Sequence, residues 1–188
     1  MADKKYIIFD LDGTLIDSFD AVAKACRQVL ACHHAGQGLN DGYFETYRSG
    51  DLEQMFRDLS EIAGISNETF RAEYDRQFSK DPVSGLTVIP RGYELLTEAG
   101  AGGFGIIILT NRKQEIAEEI CDTLFEGKID FIIGRTDTLP IKPRHVIIDR
   151  LQDLGINPQE QCIKYYGDSV SDFETAKILN VEYINTKI

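Results

Sequence analysis

A doubly wound α/β fold, with a parallel sheet at its core and an all-helical unit inserted after the first strand, is predicted by three features of the sequence. The first is an apolar run without polar alternation, Tyr6-Ile7-Ile8-Phe9, that leads directly into Asp10. Such a run reads as a strand buried on both faces, the habit of parallel sheets. The second is a long block of helical periodicity after Ser18. The third is the alternation of helix and strand patterns from Leu86 onward, which implies βαβ units with helices on both faces of one sheet. Together they predict a Rossmann-like core, residues 1–18 and 84–188, and a helical insert, 19–83.

Taken in order, Phe19 to Cys32 places Val22, Cys26, Val29 and Leu30 on one helical face. Gly36, Gly38 and Gly42 punctuate a loop. Leu52, Met55, Phe56, Leu59 and Ile62 make a second apolar stripe ended by Gly64, and Phe70, Tyr74 and Phe78 a third. Asp81-Pro82 and Gly85 mark the exit. Tyr93 to Ala99 then reads as a helix, and Phe104 to Leu109 as a buried strand ending at Thr110-Asn111. Ile116, Ile120 and Leu124 define a helix, Phe131 to Ile133 a strand, and Val146, Ile147, Leu151 and Leu154 a helix stopped by Gly155. Cys162 to Tyr166 is a strand running into Gly167-Asp168. Phe173, Ala176 and Leu179 mark the helix after it, and Val181 to Asn185 a last strand. Sixteen residues follow Asp172, and they hold the edge of the sheet. An open edge there would favour a homodimer over a monomer.

Composition excludes several classes of function. The net charge of −11 argues against nucleic acid or an anionic membrane as partner, since both need a basic surface. No apolar run approaches the roughly 18 residues that cross a bilayer. The first strand begins almost at once, so no leader core precedes it and a cytoplasmic location is expected. Cys26, Cys32, Cys121 and Cys162 lack paired spacing and are expected to be free thiols. Cys32-His33-His34 lacks the spacing that wraps a zinc ion.

The chemistry collects at strand ends. In an open parallel sheet, ligands bind at the carboxyl edge, and three strands end there on Asp10, Thr110 and Asp168. Asp12 and Asp172 lie close by in sequence, so four carboxylates converge and require a cation. A hard divalent ion with oxygen ligands, Mg²⁺, suits them. Lys142, between Pro140-Ile141 and Pro143, is the other candidate. One lysine and one divalent ion still leave a negative excess, so Asp12 is expected to carry a proton before a phosphate enters. Each residue alone has an ordinary reading as turn former, helix cap or solvated lysine. Their convergence on one edge does not.

Asp10-Leu11-Asp12-Gly13-Thr14-Leu15-Ile16-Asp17-Ser18, Thr110-Asn111, Lys142-Pro143 and Gly167-Asp168-Ser169-Val170-Ser171-Asp172 resemble, in order, the four motifs of the haloacid dehalogenase superfamily. The helical insert resembles the small cap of its phosphoglycolate-phosphatase-like branch. The resemblance implies a Mg²⁺-dependent phosphatase of a small phosphorylated metabolite. Asp10 would be the nucleophile and Asp12 the general acid and base. Asp10, the Asp12 carbonyl, Asp168 and Asp172 would hold the metal, while Gly13, Thr110, Asn111 and Lys142 would contact phosphate. A phosphosugar mutase uses the same motifs. A non-enzymatic phospho-acceptor domain gathers similar residues, though with the lysine in another order. Arg48, Gly50, Asp51 and Arg57 in the insert are candidates for facing the substrate.

Overall fold

The computed structural model describes residues 4–48, 52–136 and 142–187, and divides into two compact units, Met1–Asp17 with Thr87–Ile188, and Ser18–Leu86. Gly50, Asp51, Pro140 and Ile141 lie outside the described residues.

Strand β1 (Tyr6–Phe9) leads through a tight loop into β2 (Ile16–Asp17). The second unit holds α1 (Phe19–Cys32), α2 (Asp41–Glu45), α3 (Leu52–Ala63) and α4 (Asn67–Phe78). Asn40 and Ser66 cap α2 and α4 by accepting from backbone N–H groups three residues on. Val22, Cys26, Val29, Leu30, Met55, Phe56, Leu59, Phe70, Tyr74 and Phe78 are all buried. Ile62 shares an angular face with Met55 but sits in the last turn of α3 and is exposed. Arg48 is bound by Glu45 and Asp20 and lies over the Phe19 ring at 4.5 Å, and Arg57 bonds Gln54 Oε1 at 2.8 Å. His33 pairs with Glu73 at 2.7 Å, and all four cysteines are free.

The chain rejoins the first unit through β3 (Thr87–Val88), antiparallel to β2. Then follow α5 (Pro90–Ala101), β4 (Gly105–Lys113), α6 (Gln114–Leu124), β5 (Phe131–Arg135), α7 (Val146–Asp153), the single turn α8 (Pro158–Gln161), β6 (Cys162–Gly167), α9 (Val170–Leu179) and β7 (Glu182–Asn185). Among the described residues the main sheet has five parallel strands in the order β5-β4-β1-β6-β7. The chain builds outward from β1 through β4 and β5, then returns to lay β6 and β7 on the other side, which opens a crevice beside the end of β1. The final strand is therefore present, with Lys164 opposite Glu182 and Gly167 opposite Asn185.

Both faces of β1 are covered, as its unbroken apolar run requires. Ile8, with Ile107, Leu109 and Ile133, packs on Ile147 and Leu151 of α7 and Ala176 and Leu179 of α9. Ile7, Phe9, Ile106 and Ile108 are also buried, and α5 and α6 pack against β4. Several short features escape sequence periodicity, among them α2, which includes the Gly42 read as a loop residue, and α8. The β2–β3 ladder has two residues per strand, too few to show a period. Strand β4 runs past Leu109 to Lys113, because its polar end is satisfied inside the site described below rather than by apolar packing.

Helix α5 presses on the loop that follows β1. A Cβ added at Gly92 would lie 2.0 Å from the Thr14 carbonyl oxygen, whereas one at Gly100 meets open space. Gly92→Ala is expected to destabilise the protein by about 1–3 kcal/mol. Gly100→Ala, in the same helix, is expected to be neutral or stabilising by up to about 1 kcal/mol. Urea unfolding of the two variants beside the parent checks both.

Candidate active site

The four acids reach one edge because of the register. Phe9 pairs with Ile108 on one side and Tyr166 on the other, so Asp10 emerges level with Leu109, where the apolar part of β4 ends, and with Gly167 at the end of β6. The Asp10 N–H continues the ladder by donating to the Tyr166 carbonyl at 2.8 Å. Gly13 turns the following loop back with φ +80°, and a Cβ there would lie 2.4 Å from Asp168 Oδ2. Only glycine lets the two segments approach this closely. Gly167 plays the same part opposite Asp172, where a Cβ would come within 2.5 Å of the Asp172 Cβ.

Lys142 lies at the centre. Its Nζ donates to Asp172 Oδ1 at 2.6 Å, Asp10 Oδ1 at 2.7 Å, the Leu109 carbonyl at 2.8 Å and the Tyr165 hydroxyl at 3.1 Å. Three ammonium hydrogens thus face four oxygens, with the lysine 7% exposed. Its backbone N–H is held in turn by Asn111 Oδ1 at 2.7 Å, and the Asn111 carbonyl accepts from Arg135 Nε at 3.3 Å. Burial opposes the Lys142 charge, but Asp10, Tyr165 and Asp172 outweigh it and hold the ammonium well above its usual range.

The carboxylates divide in character. Burial, then the charge of Asp172, pushes Asp10 well above the usual carboxylate range, with Lys142 opposing. Burial and Asp172 push Asp168 up to about 6. Burial pushes Asp172 the same way, but Lys142 and the hydroxyl and N–H of Ser169 win and lower it. Asp172 is also the acidic partner of the capping box that starts α9: Ser169 N–H and Oγ donate to its Oδ2 at 3.0 and 2.5 Å, and its own N–H donates to Ser169 Oγ at 3.2 Å. The ordinary reading as a helix start and the functional one are both met by this residue. Asp10, Asp168 and Asp172 each offer a carboxylate oxygen, all within 4.8 Å of one another, a donor set that a hard cation fits.

Asp12 stands apart from that trio. Arg112 Nε reaches its Oδ2 at 2.8 Å and Nη2 its Oδ1 at 2.5 Å. Arg112, itself buried, is a second cation at this edge beside Lys142. Arg112 and Tyr165 are the site residues that sequence reasoning missed. Arg112 had a signal, since it lies two residues beyond Thr110 on the same strand, and alternation puts both on one face. The burial pattern agrees, with Thr110 and Arg112 inside and Lys113 exposed. Tyr165 had none, because an aromatic residue in a buried strand reads as packing; its hydroxyl donates to Asp172 Oδ1 at 2.9 Å.

Comparison with known proteins agrees with this geometry. The family model described as haloacid dehalogenase-like hydrolase matches residues 7–186. Curated relatives named phosphoglycolate phosphatase include one from Aquifex aeolicus, 28% identical over 182 residues, covering 92% of this chain and 80% of that protein. One from Yersinia pseudotuberculosis is 26% identical, covering 91% and 75%. Among solved structures, a haloacid dehalogenase-like hydrolase from Bacteroides fragilis superposes with a TM-score of 0.76 at 26% identity, covering 97% of this chain and 87% of that one. CbbY from Rhodobacter sphaeroides, solved with phosphate, shares the fold with a TM-score of 0.73 at 18% identity, covering 97% and 85%. The parallel sheet with its acidic carboxyl edge is accordingly that of a phosphatase-like enzyme of the hydrolase class. The chain belongs to the haloacid dehalogenase-like hydrolase family.

Asp168 yields a test of the site's electrostatics. Its folded-state value of about 6 lies above the roughly 3.9 of an unfolded aspartate, so its contribution is fully present below pH ~4 and lost as pH rises through 6. In chelator, Asp168→Asn is expected to be more stable than the parent at pH 8 by up to about 3 kcal/mol, with the gap closing toward pH 4. Denaturant titrations at the two pH values check it. Lys142→Met should lose about 3–5 kcal/mol at pH 7 by stranding buried acids, measured the same way.

Proposed function

We propose that the protein is a Mg²⁺-dependent phosphatase that hydrolyses a small phosphorylated metabolite through a phospho-aspartyl intermediate on Asp10. The observation that carries this reading is the cluster of Asp10, Asp168 and Asp172 around one buried lysine at the carboxyl edge of the sheet. Asp10, Asp168, Asp172 and the Asp12 carbonyl would hold Mg²⁺, which would supply charge neutralisation for an incoming phosphate and keep the acids ionised.

In this reading Lys142 grips Asp10 Oδ1 and leaves the second oxygen to attack phosphorus in line. The bond from phosphorus to the leaving oxygen breaks, and Asp12 gives that oxygen a proton. Asp12 then takes a proton from the water that attacks the phospho-aspartate, and the bond from phosphorus to Asp10 breaks to release inorganic phosphate. The Thr110 hydroxyl accepts from the Arg112 N–H at 3.2 Å and keeps its own hydrogen for a phosphoryl oxygen. Gly13 admits the phosphate close to the backbone, and Asn111 serves by fixing the Lys142 backbone. The helical unit 19–83 is assigned as the cap on the same reading. The relatives' name places 2-phosphoglycolate first among substrates to try.

A phosphate-release assay over phosphomonoesters, 2-phosphoglycolate included, is expected to show turnover with Mg²⁺ and none with chelator. Asp10→Asn should lose about 10³-fold or more. Activity surviving chelation or that substitution would sink the mechanism. Isomerised sugar phosphate without phosphate release would point to a mutase, and stoichiometric phosphorylation without turnover to a phospho-acceptor.

A further inference from the structure

We propose that Arg112 is a positioning residue for proton transfer, holding the Asp12 carboxylate in the orientation that serves the leaving-group oxygen. The inference rests on the phosphatase reading above. It begins from a division of cations: Asp10 and Asp172 take theirs from Lys142, whereas Asp12 takes its cation from β4. The Arg112 fork places separate nitrogens on separate oxygens, Nε on Oδ2 at 2.8 Å and Nη2 on Oδ1 at 2.5 Å. Two parallel bonds fix the plane of a carboxylate as well as its place, which a single bond or a lysine ammonium does not do.

The holder is itself held. Arg112 has a side chain only 7% exposed, lies on a strand of the main sheet, and anchors its N–H on Thr110 Oγ1. Asp12 lies in the loop just before Gly13, with its side chain 23% exposed, so it draws rigidity from β4 that a loop alone would not supply. Each carboxylate oxygen has two acceptor positions, and the fork takes one on each. Proton transfer depends steeply on placement, an error of about 1 Å costing on the order of 10²-fold.

The alternative for a buried arginine at this edge is direct contact with the phosphoryl group, and the leaving group separates the two. A nitrophenolate departs without a proton, whereas an alkoxide needs one. If Arg112 acts through Asp12, its loss falls on alkyl phosphates. If it binds phosphate, all esters suffer alike.

The experiment compares kcat/KM of the parent, Arg112→Ala and Arg112→Lys on p-nitrophenyl phosphate and on 2-phosphoglycolate or another alkyl phosphate that the parent hydrolyses. Circular dichroism monitors the fold. The expected result is a loss of about 10- to 100-fold on the alkyl ester against less than about 5-fold on the aryl ester. Lysine should not restore the ratio, and guanidinium ion added to Arg112→Ala should restore it in part. Equal losses on both esters, rescue by lysine, or no loss would overturn the positioning role while leaving the phosphatase reading intact. A parent inactive on every ester would overturn both.

Discussion

Four carboxylates at one end of a parallel sheet repel each other and resist leaving water, and the buried ammonium of Lys142 is the interaction that makes the arrangement tenable. Neither Asp10 nor Asp172 is stable as an isolated buried charge, and neither is Lys142. Together, with the Leu109 carbonyl and the Tyr165 hydroxyl completing the lysine's shell, they form a satisfied network. The balance is incomplete: Asp10 and Asp168 still sit above their usual range, because burial and the charge of Asp172 oppose their ionised forms.

The sheet supplies what side-chain chemistry cannot. Strand order puts β1 between β4 and β6, so that residues far apart in sequence end level with one another. Close approach is then secured by absence of side chains at Gly13 and Gly167, one facing Asp168 and the other Asp172. Arg112 extends the same logic to a fourth acid. Its guanidinium reaches Asp12 because β4 continues as strand beyond its apolar segment, with pairing to β5 resuming at Lys113 opposite Arg135.

Much of this was legible in the residues. Tyr6 to Phe9 announced a doubly covered strand, and the stripes at Val22 to Leu30 and Phe70 to Phe78 announced helices, because burial writes a period into sequence. Asp10, Thr110 and Asp168 could be placed on a common edge because parallel strands share a direction. What stayed hidden was pairing between side chains. That Asp12 meets Arg112, that Asn111 holds the Lys142 backbone, and that the Tyr165 hydroxyl turns toward Asp172 are facts of three-dimensional neighbourhood with no periodic trace. The β2–β3 ladder was hidden for a different reason, being shorter than any period.

The double duty of Asp172 has a consequence for how such a site can diversify. One oxygen binds Lys142 and the other closes the first turn of α9. A substitution there disturbs charge balance and helix initiation at once, so selection can rarely adjust the one without damaging the other. Thr110 and Arg112 carry no comparable helix-starting burden on β4. A substitution at Arg112 therefore bears on the charge of the site alone, whereas one at Asp172 reaches both the charge and the first turn of the helix that follows.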